Sequence, residues 1–68
     1  MLGKKIRLLR LEREYSQSYM AYRLQISQKS FSKIENGKTA LTVKRLYDIS
    51  NILEVSIEQL VKEIHKTP

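Results

Sequence analysis

Four serine or threonine residues, at fairly even intervals, divide this chain of 68 residues into short segments: Ser16, Ser27, Thr42 and Ser56. A hydroxyl at the N-cap accepts a hydrogen bond from an unpaired amide of the first helical turn, so each of the four is a candidate helix start. Gln59 lies three residues after the last of them and completes a capping-box pattern there. Because no segment shows sustained period-two alternation, the sequence predicts an all-α fold of five short helices.

Apolar residues recur at helical spacing within each segment, which sets the helix bounds. The predicted helices cover about residues 3–13, 17–24, 28–36, 43–53 and 57–64, and residues 65–68 form a tail that we expect to fray. One arc of the first helix carries Leu2, Ile6, Leu9 and Arg13, with Arg10 beside it. The fourth helix has a stripe formed by Val43, Leu46, Ile49 and Leu53. Short connections and length predict one compact domain over residues 1–68.

The charge of the chain favours a polyanionic partner. The net charge is +6 and the pI is about 9.8, which on a small domain indicates nucleic acid first and an anionic membrane surface second. The absence of cysteine excludes disulfides and thiolate metal sites, in keeping with a reducing cytosol. No apolar run approaches the roughly 20 residues that cross a bilayer, and the five capped helices argue against a peptide that lies on a membrane surface, so no membrane partner is predicted.

The stretch from Ser16 to Lys38 reads as two short helices joined by a tight corner. Ala21 is small enough to let two crossing helices approach, and Asn36-Gly37 ends the second helix with a residue suited to a left-handed conformation. Phe31 and Ile34 form the apolar stripe of that second helix. Its opposite face is wholly polar: Gln28, Lys29, Ser32, Lys33 and Asn36. This arrangement predicts a helix-turn-helix.

These positions together resemble the lambda-repressor-like DNA-binding domains, the Cro and phage-repressor type also called the XRE family. The resemblance extends from Leu2 to Val61. The matching positions are Ile6, Leu9, Arg10, Ser16-Gln17, Met20-Ala21, Leu24, Ile26-Ser27, Phe31 to Gly37, Leu46, Ile49, Leu53, Val55-Ser56 and Leu60. Two departures stand at positions where the family usually has glycine, namely Gln25 at the corner and Glu54 at the end of the fourth helix. If the backbone there requires a positive φ, each costs on the order of 1 kcal/mol.

The resemblance implies that the third helix enters the major groove of DNA and reads base edges from its outer face. The implied base-reading residues are Gln28, Lys29, Ser32 and Lys33. A glutamine amide pairs with adenine N6 and N7, and a lysine donates to guanine O6 and N7. The candidate phosphate contacts are Gln17, Ser30, Asn36, Lys38 and Lys44, which would set the register without reading sequence.

Two internal contacts are also implied by the resemblance. Gln17 is expected to brace Gln28 while it contacts a phosphate. Arg10 and Glu35 are expected to form an ion pair between the first and third helices, which would hold the recognition helix in place. Removing one partner of such a buried pair is costly, so this contact is read as structural.

The resulting hypothesis is a bacterial or phage transcriptional regulator, most simply a cytoplasmic repressor that binds a palindromic operator as a homodimer. Nothing points to an enzyme, a metal, a cofactor or a small-molecule ligand, since the one histidine, His65, lies in the predicted tail. The alternative is a protein-interaction module of the same fold, such as an antitoxin-like domain. A possible partner surface formed by Leu8, Leu11, Tyr19 and Tyr22 motivates it. The chain is either a minimal regulator or the N-terminal domain of a longer one.

Overall fold

The computed structural model describes residues 2–61, and over this range the chain is all-α, as the sequence predicts. The helices are α1 (Leu2–Glu12), α2 (Gln17–Leu24), α3 (Gln28–Glu35), α4 (Val43–Leu53) and α5 (Ile57–Val61). Within residues 2–61, no helix is long and apolar enough to cross a membrane. The predicted end of the fifth helix, with Ile64, and the tail with His65 lie outside the described residues.

The four predicted N-caps are confirmed, because each side-chain hydroxyl accepts a hydrogen bond from the backbone amide three residues later. The acceptor and donor pairs are Ser16 and Tyr19, Ser27 and Ser30, Thr42 and Arg45, and Ser56 and Gln59, with distances of 2.9–3.1 Å. Each bond satisfies one of the amides that a helix leaves unpaired at its start. The starts of α2 to α5 therefore follow from local chemistry alone.

The ends of α1, α2 and α4 share a left-handed residue that is not glycine: Glu14 (φ 60°), Gln25 (φ 60°) and Glu54 (φ 57°). In each case the next amide reaches back to a carbonyl five residues earlier, at 3.0 Å. Gln25 and Glu54 thus have the conformation that their family positions implied, whereas Glu14 was not anticipated. Because Glu14 turns the chain, α1 stops at Glu12, one residue before the predicted end.

α3 also ends one residue earlier than predicted, at Glu35, with Asn36 as its C-cap. Gly37 takes a φ of 71°, and the amide of Lys38 then reaches the carbonyl of Lys33 at 2.9 Å. Glycine adopts this conformation without steric cost, so Gly37 marks a sharp stop.

The core receives buried apolar side chains from all five helices. They are Ile6, Leu9, Met20, Ala21, Leu24, Phe31, Ile34, Ile49, Ile52, Leu53 and Leu60. α2 packs against α3, while α1 contacts α3, α4 and α5, and α4 contacts α2 and α5. Two residues predicted on buried stripes are exposed instead. Arg13 lies beyond the end of α1 and pairs with Glu54 at 3.6 Å, and Val43 begins α4 directly after an exposed connector.

The N-terminal turn of α1 lies directly against the C-terminal end of α3 at Gly3. A Cβ atom at this position would lie less than 3.0 Å from the carbonyl oxygens of Ile34 and Glu35. Real Cβ atoms are not found so close to backbone oxygen, so only glycine fits this contact without a shift of one helix. The sequence pattern gave no sign of this approach, because it joins residues that are far apart along the chain.

Candidate DNA-binding surface

The inner and outer faces of α3 have different environments. Phe31, Ile34 and Glu35 point inward and are buried, which fixes the rotation of the helix. The outer face borders an open groove that extends to the start of α2 and to the residues after α3. The groove is lined by Gln17, Gln28, Lys29, Ser32, Lys33, Asn36 and Lys38. The helix-turn-helix therefore presents one continuous polar surface.

Most of the predicted site residues lie on this groove. All four predicted base readers line it, and so do Gln17, Asn36 and Lys38 from the phosphate set. Ser30 and Lys44 do not. The hydroxyl of Ser30 is 3.0 Å from that of Ser27, and Ser30 faces the connector before α4, while the ammonium of Lys44 pairs with Asp48 at 3.2 Å. These two residues do not line the groove.

The predicted brace between Gln17 and Gln28 is wrong, because the structure gives the two amides other partners. The Nε2 of Gln17 donates to Oε1 of Glu35 at 2.9 Å. The Oε1 of Gln28 accepts a hydrogen bond from the hydroxyl of Ser18 at 2.8 Å. Gln17 is half-buried and turns toward the buried carboxylate, which leaves the neighbouring Ser18 to reach the start of α3.

An ion pair links α1 to α3 beneath this surface. The Nε of Arg10 is 2.6 Å from Oε2 of Glu35, and its Nη2 is 3.2 Å from Oε1. The two residues are only 7% and 8% exposed, as the structural reading of this pair requires. A further bond joins Nη1 to the carbonyl of Tyr15 at 2.9 Å. Together with the bond from Gln17, these contacts satisfy the charged groups that burial has removed from water.

The electrostatics of the groove favour an anion. Its lining includes three lysines and, within the described part of the chain, no carboxylate. Gln17 and Gln28 are the first residues of α2 and α3, so both helices direct unpaired amides and the positive end of their dipole toward the groove. Phosphate groups bind readily to such helix starts. The groove therefore combines side-chain hydrogen-bond donors and acceptors with a local electrostatic attraction for anions such as phosphate.

Three residues that support this surface were not identified from the sequence. Besides Gly3 and Ser18, Arg45 donates from Nη1 to the carbonyl of Leu24 at 3.3 Å, at the end of α2. A cation there satisfies a carbonyl that the helix leaves unpaired and complements the negative end of its dipole. Of the three, only Ser18 could have been suspected from the sequence, because it lies in the first turn of α2, close to the start of α3.

The partner surface proposed from the sequence is only partly present. Leu8 and Leu11 on α1 are 55% and 51% exposed, and Tyr22 is 78% exposed. Tyr19 does not belong with them, because it packs against the core and against Tyr15, with 4.6 Å between ring centroids. Tyr15 is likewise half-buried. The exposed apolar area on α1 is therefore limited to two leucines.

The fold and the groove define a protein of the helix-turn-helix class, and the helix-turn-helix family model matches residues 6–60. The chain belongs to the helix-turn-helix family, in its lambda-repressor-like, or XRE, type. The resemblance noted in the sequence is thus confirmed.

The relatives of this chain include two regulators from Bacillus subtilis strain 168. It is 38% identical over 65 residues to the SPbeta prophage-derived HTH-type transcriptional regulator YonR, a match that covers 96% of this chain and 60% of YonR. It is 34% identical over 68 residues to the HTH-type transcriptional regulator SinR, covering 98% of this chain and 61% of SinR. The chain therefore spans about three-fifths of the length of these relatives.

A solved structure has the same fold. It is the crystal structure of SinR, described as the master regulator for biofilm formation, in complex with DNA. The TM-score is 0.80 at 32% sequence identity, and the match covers 90% of this chain and 98% of the SinR chain.

Proposed function

We propose that this chain is the DNA-binding part of a transcriptional regulator and binds double-stranded DNA sequence-specifically. The observation that carries this proposal is the groove along α3, which is lined by seven polar or basic side chains. The fold supports it, because an eight-residue helix supported from behind is the element that enters a major groove in helix-turn-helix proteins. The similarity to SinR, whose structure contains DNA, supports the same ligand.

The residues of the groove divide by the part of DNA that they would contact. Gln28, Lys29, Ser32 and Lys33 on the outer face of α3 read base edges, with the amide suited to adenine and the ammonium groups to guanine. Gln17, Asn36 and Lys38, at the margins, bind phosphate and set the register. Ser30 and Lys44 lie outside the groove and bind phosphate only if the duplex extends past its rim.

The proposed mode of action is repression by a homodimer. A dimer would place one α3 in each half of a palindromic operator, with centres about 34–36 Å apart along the duplex. Occupancy of a promoter by such a dimer excludes the transcription machinery. The similarity to two transcriptional regulators supports a regulatory role, and a DNA-binding protein of this kind acts in the cytoplasm of a bacterial or phage-infected cell.

The first prediction concerns the dependence of DNA binding on salt. Binding to a duplex should weaken as salt rises, with a slope near −0.9 for each phosphate that the protein neutralises. The substitution Lys38→Gln removes one proposed phosphate contact, so it should reduce the slope by about 0.9 and weaken binding to all sequences about equally. Fluorescence anisotropy with a labelled duplex at several salt concentrations measures both quantities.

The matched control is Lys4→Gln, which removes the same charge from an exposed position on α1 that does not line the groove. Its slope should equal that of the unmodified protein. Equal slopes for the Lys4 and Lys38 variants would contradict the assigned role of the groove. Absence of duplex binding at about 50 mM salt would contradict the proposed function as a whole, because phosphate attraction is strongest there.

A protein-interaction module is the second candidate function. The observation in its favour is the exposure of Leu8 and Leu11, neighbours on α1 that do not contribute to the core. The same anisotropy experiment separates the two candidates, since a module of this kind would not bind duplex DNA at about 50 mM salt.

A further inference from the structure

Among residues 2–61, the side chain of Gln28 has one hydrogen-bond partner, which is Ser18. Ser18, the second residue of α2, is 2.8 Å from Oε1 of Gln28, the first residue of α3. A carbonyl oxygen accepts but does not donate, so the serine hydroxyl is the donor in this bond. The bond crosses the corner of the helix-turn-helix and joins two side chains that both belong to exposed residues.

This contact has a consequence for what Gln28 presents to a ligand. Because Oε1 faces Ser18, both hydrogens of Nε2 remain available to the groove. The oxygen retains a second lone pair, so it is still able to accept one more hydrogen bond. The terminal torsion of a glutamine is otherwise broad and roughly two-fold, so an unrestrained amide would sample both orientations.

With Nε2 free to donate and Oε1 still able to accept, the amide offers the donor and the acceptor that adenine requires. In the major groove adenine presents N7 as an acceptor and the N6 amino group as a donor, whereas guanine presents two acceptors, N7 and O6. An amide with Nε2 and Oε1 both in place pairs with adenine through two bonds. Guanine has no donor on this edge for Oε1, so a restrained amide makes one fewer favourable contact with it.

We propose that Ser18 is a positioning residue for base recognition: its hydroxyl orients the Gln28 amide so that this residue selects adenine over guanine. Ser18 itself touches no base in this scheme and acts only through Gln28. The inference rests on the proposed function, because it assumes that the outer face of α3 reads DNA. It adds a residue of α2 to the determinants of sequence preference.

The inference is tested by selecting binding sites from a random duplex library with the unmodified protein and with Ser18→Ala, Ser18→Thr and Gln28→Ala. The base pair at which Gln28→Ala relaxes the preference identifies the contact of Gln28. At that base pair, Ser18→Ala should reduce the preference for adenine over guanine about two- to tenfold, the range expected for the loss of one hydrogen bond. Ser18→Thr keeps the hydroxyl and should retain the preference.

Further readouts separate positioning from a general structural effect. Ser18→Ala should leave the melting temperature, the salt slope on random duplex and the preference at every other base pair unchanged. In the Gln28→Ala background it should have no additional effect on any base pair, because the residue through which it acts is gone.

Two results would overturn the inference. One is an unchanged adenine preference in Ser18→Ala, and the other is an equal loss of affinity for all sequences, which would mean a phosphate contact or a folding defect. If the unmodified protein itself selects no sequence from the library, the proposed function fails and this inference fails with it. The unmodified protein therefore distinguishes the two kinds of failure.

Discussion

At the scale of single residues, the left-handed positions show how tertiary context overrides local preference. Glu14, Gln25 and Glu54 all have a φ near 60°, a conformation that costs a residue with a Cβ atom on the order of 1 kcal/mol. Each permits the reach-back hydrogen bond that ends its helix. The strain is tolerated because the corner it forms brings the next helix onto the core.

Gln25 offers the clearest test, since its corner lies inside the helix-turn-helix. Gln25→Gly relieves the strain and should raise the free energy of unfolding by up to about 1 kcal/mol, or several degrees in melting temperature for a domain of this size. Gln25→Ala is the control, because it removes the same side chain but keeps the strain, and it should give no increase. Thermal unfolding followed by circular dichroism measures both, and equal melting temperatures would contradict the explanation.

At Gly3, replacing the glycine by alanine is expected to lower the stability of the fold, although the same change usually raises the stability of a helix. In an exposed helix, replacing glycine by alanine stabilises by about 1 kcal/mol. At Gly3 the added Cβ would lie less than 3.0 Å from carbonyl oxygens of α3, so Gly3→Ala should instead destabilise by about 1–3 kcal/mol through overpacking. Urea unfolding checks the sign. A more stable Gly3→Ala variant would show that α1 shifts away easily, and Lys4→Ala serves as the exposed control.

At the scale of secondary-structure elements, the ion pair between Arg10 and Glu35 joins α1 to α3. Its side chains are 8% and 3% exposed, and Gln17 and the carbonyl of Tyr15 complete the hydrogen bonding. A buried ion pair need not stabilise the folded state more than two apolar residues of similar size would. Removal of one partner is nevertheless costly, because it leaves the other charge buried without a counterion. Loss of either one therefore loosens the element that carries the groove.

Arg10→Met leaves a buried carboxylate without its cation and should reduce stability by about 3–5 kcal/mol. Arg13→Met is the matched control three residues further along the chain, because among the described residues Arg13 makes only an exposed pair with Glu54 and should lose less than about 1 kcal/mol. Adding Glu35→Leu to Arg10→Met should restore much of the loss, since it removes the unpaired charge. Equal effects of the two arginine substitutions in thermal unfolding would refute the buried role.

How well the elements could be predicted depended on the range of the interactions that set them. The starts of α2 to α5 were predicted correctly because an N-cap and the amide it accepts from are three residues apart. The ends of α2 and α4 were also predicted correctly, whereas α1 and α3 each end one residue earlier than predicted, α1 because the left-handed turn at Glu14 has no glycine to mark it. The residues on the groove followed from helical periodicity, but the partners of Gln17 and Gln28 did not, since they depend on how α2 and α3 are placed in space.

At the scale of the whole molecule, the helices divide into two that form the helix-turn-helix and three that support it. α1 packs against α3 and α4 packs against α2, while α5 packs behind them against α1 and α4, so the outer face of α3 stays free. The net charge of the chain is positive, and three lysines place part of that charge on the groove proposed to bind DNA. Long-range attraction of this kind increases the rate of association with DNA.

The two faces of α3 also bear on how proteins of this design diversify. The residues that hold the helix in the core are not those that line the groove, so mutations on the outer face are able to change the preferred operator while stability is preserved. The hydrogen bond from Ser18 sets one limit on that freedom. A residue other than glutamine at position 28 would still lie next to the Ser18 hydroxyl, which would then lack the acceptor that Oε1 provides. Divergence of specificity in such a lineage would therefore proceed by paired rather than single substitutions at this corner.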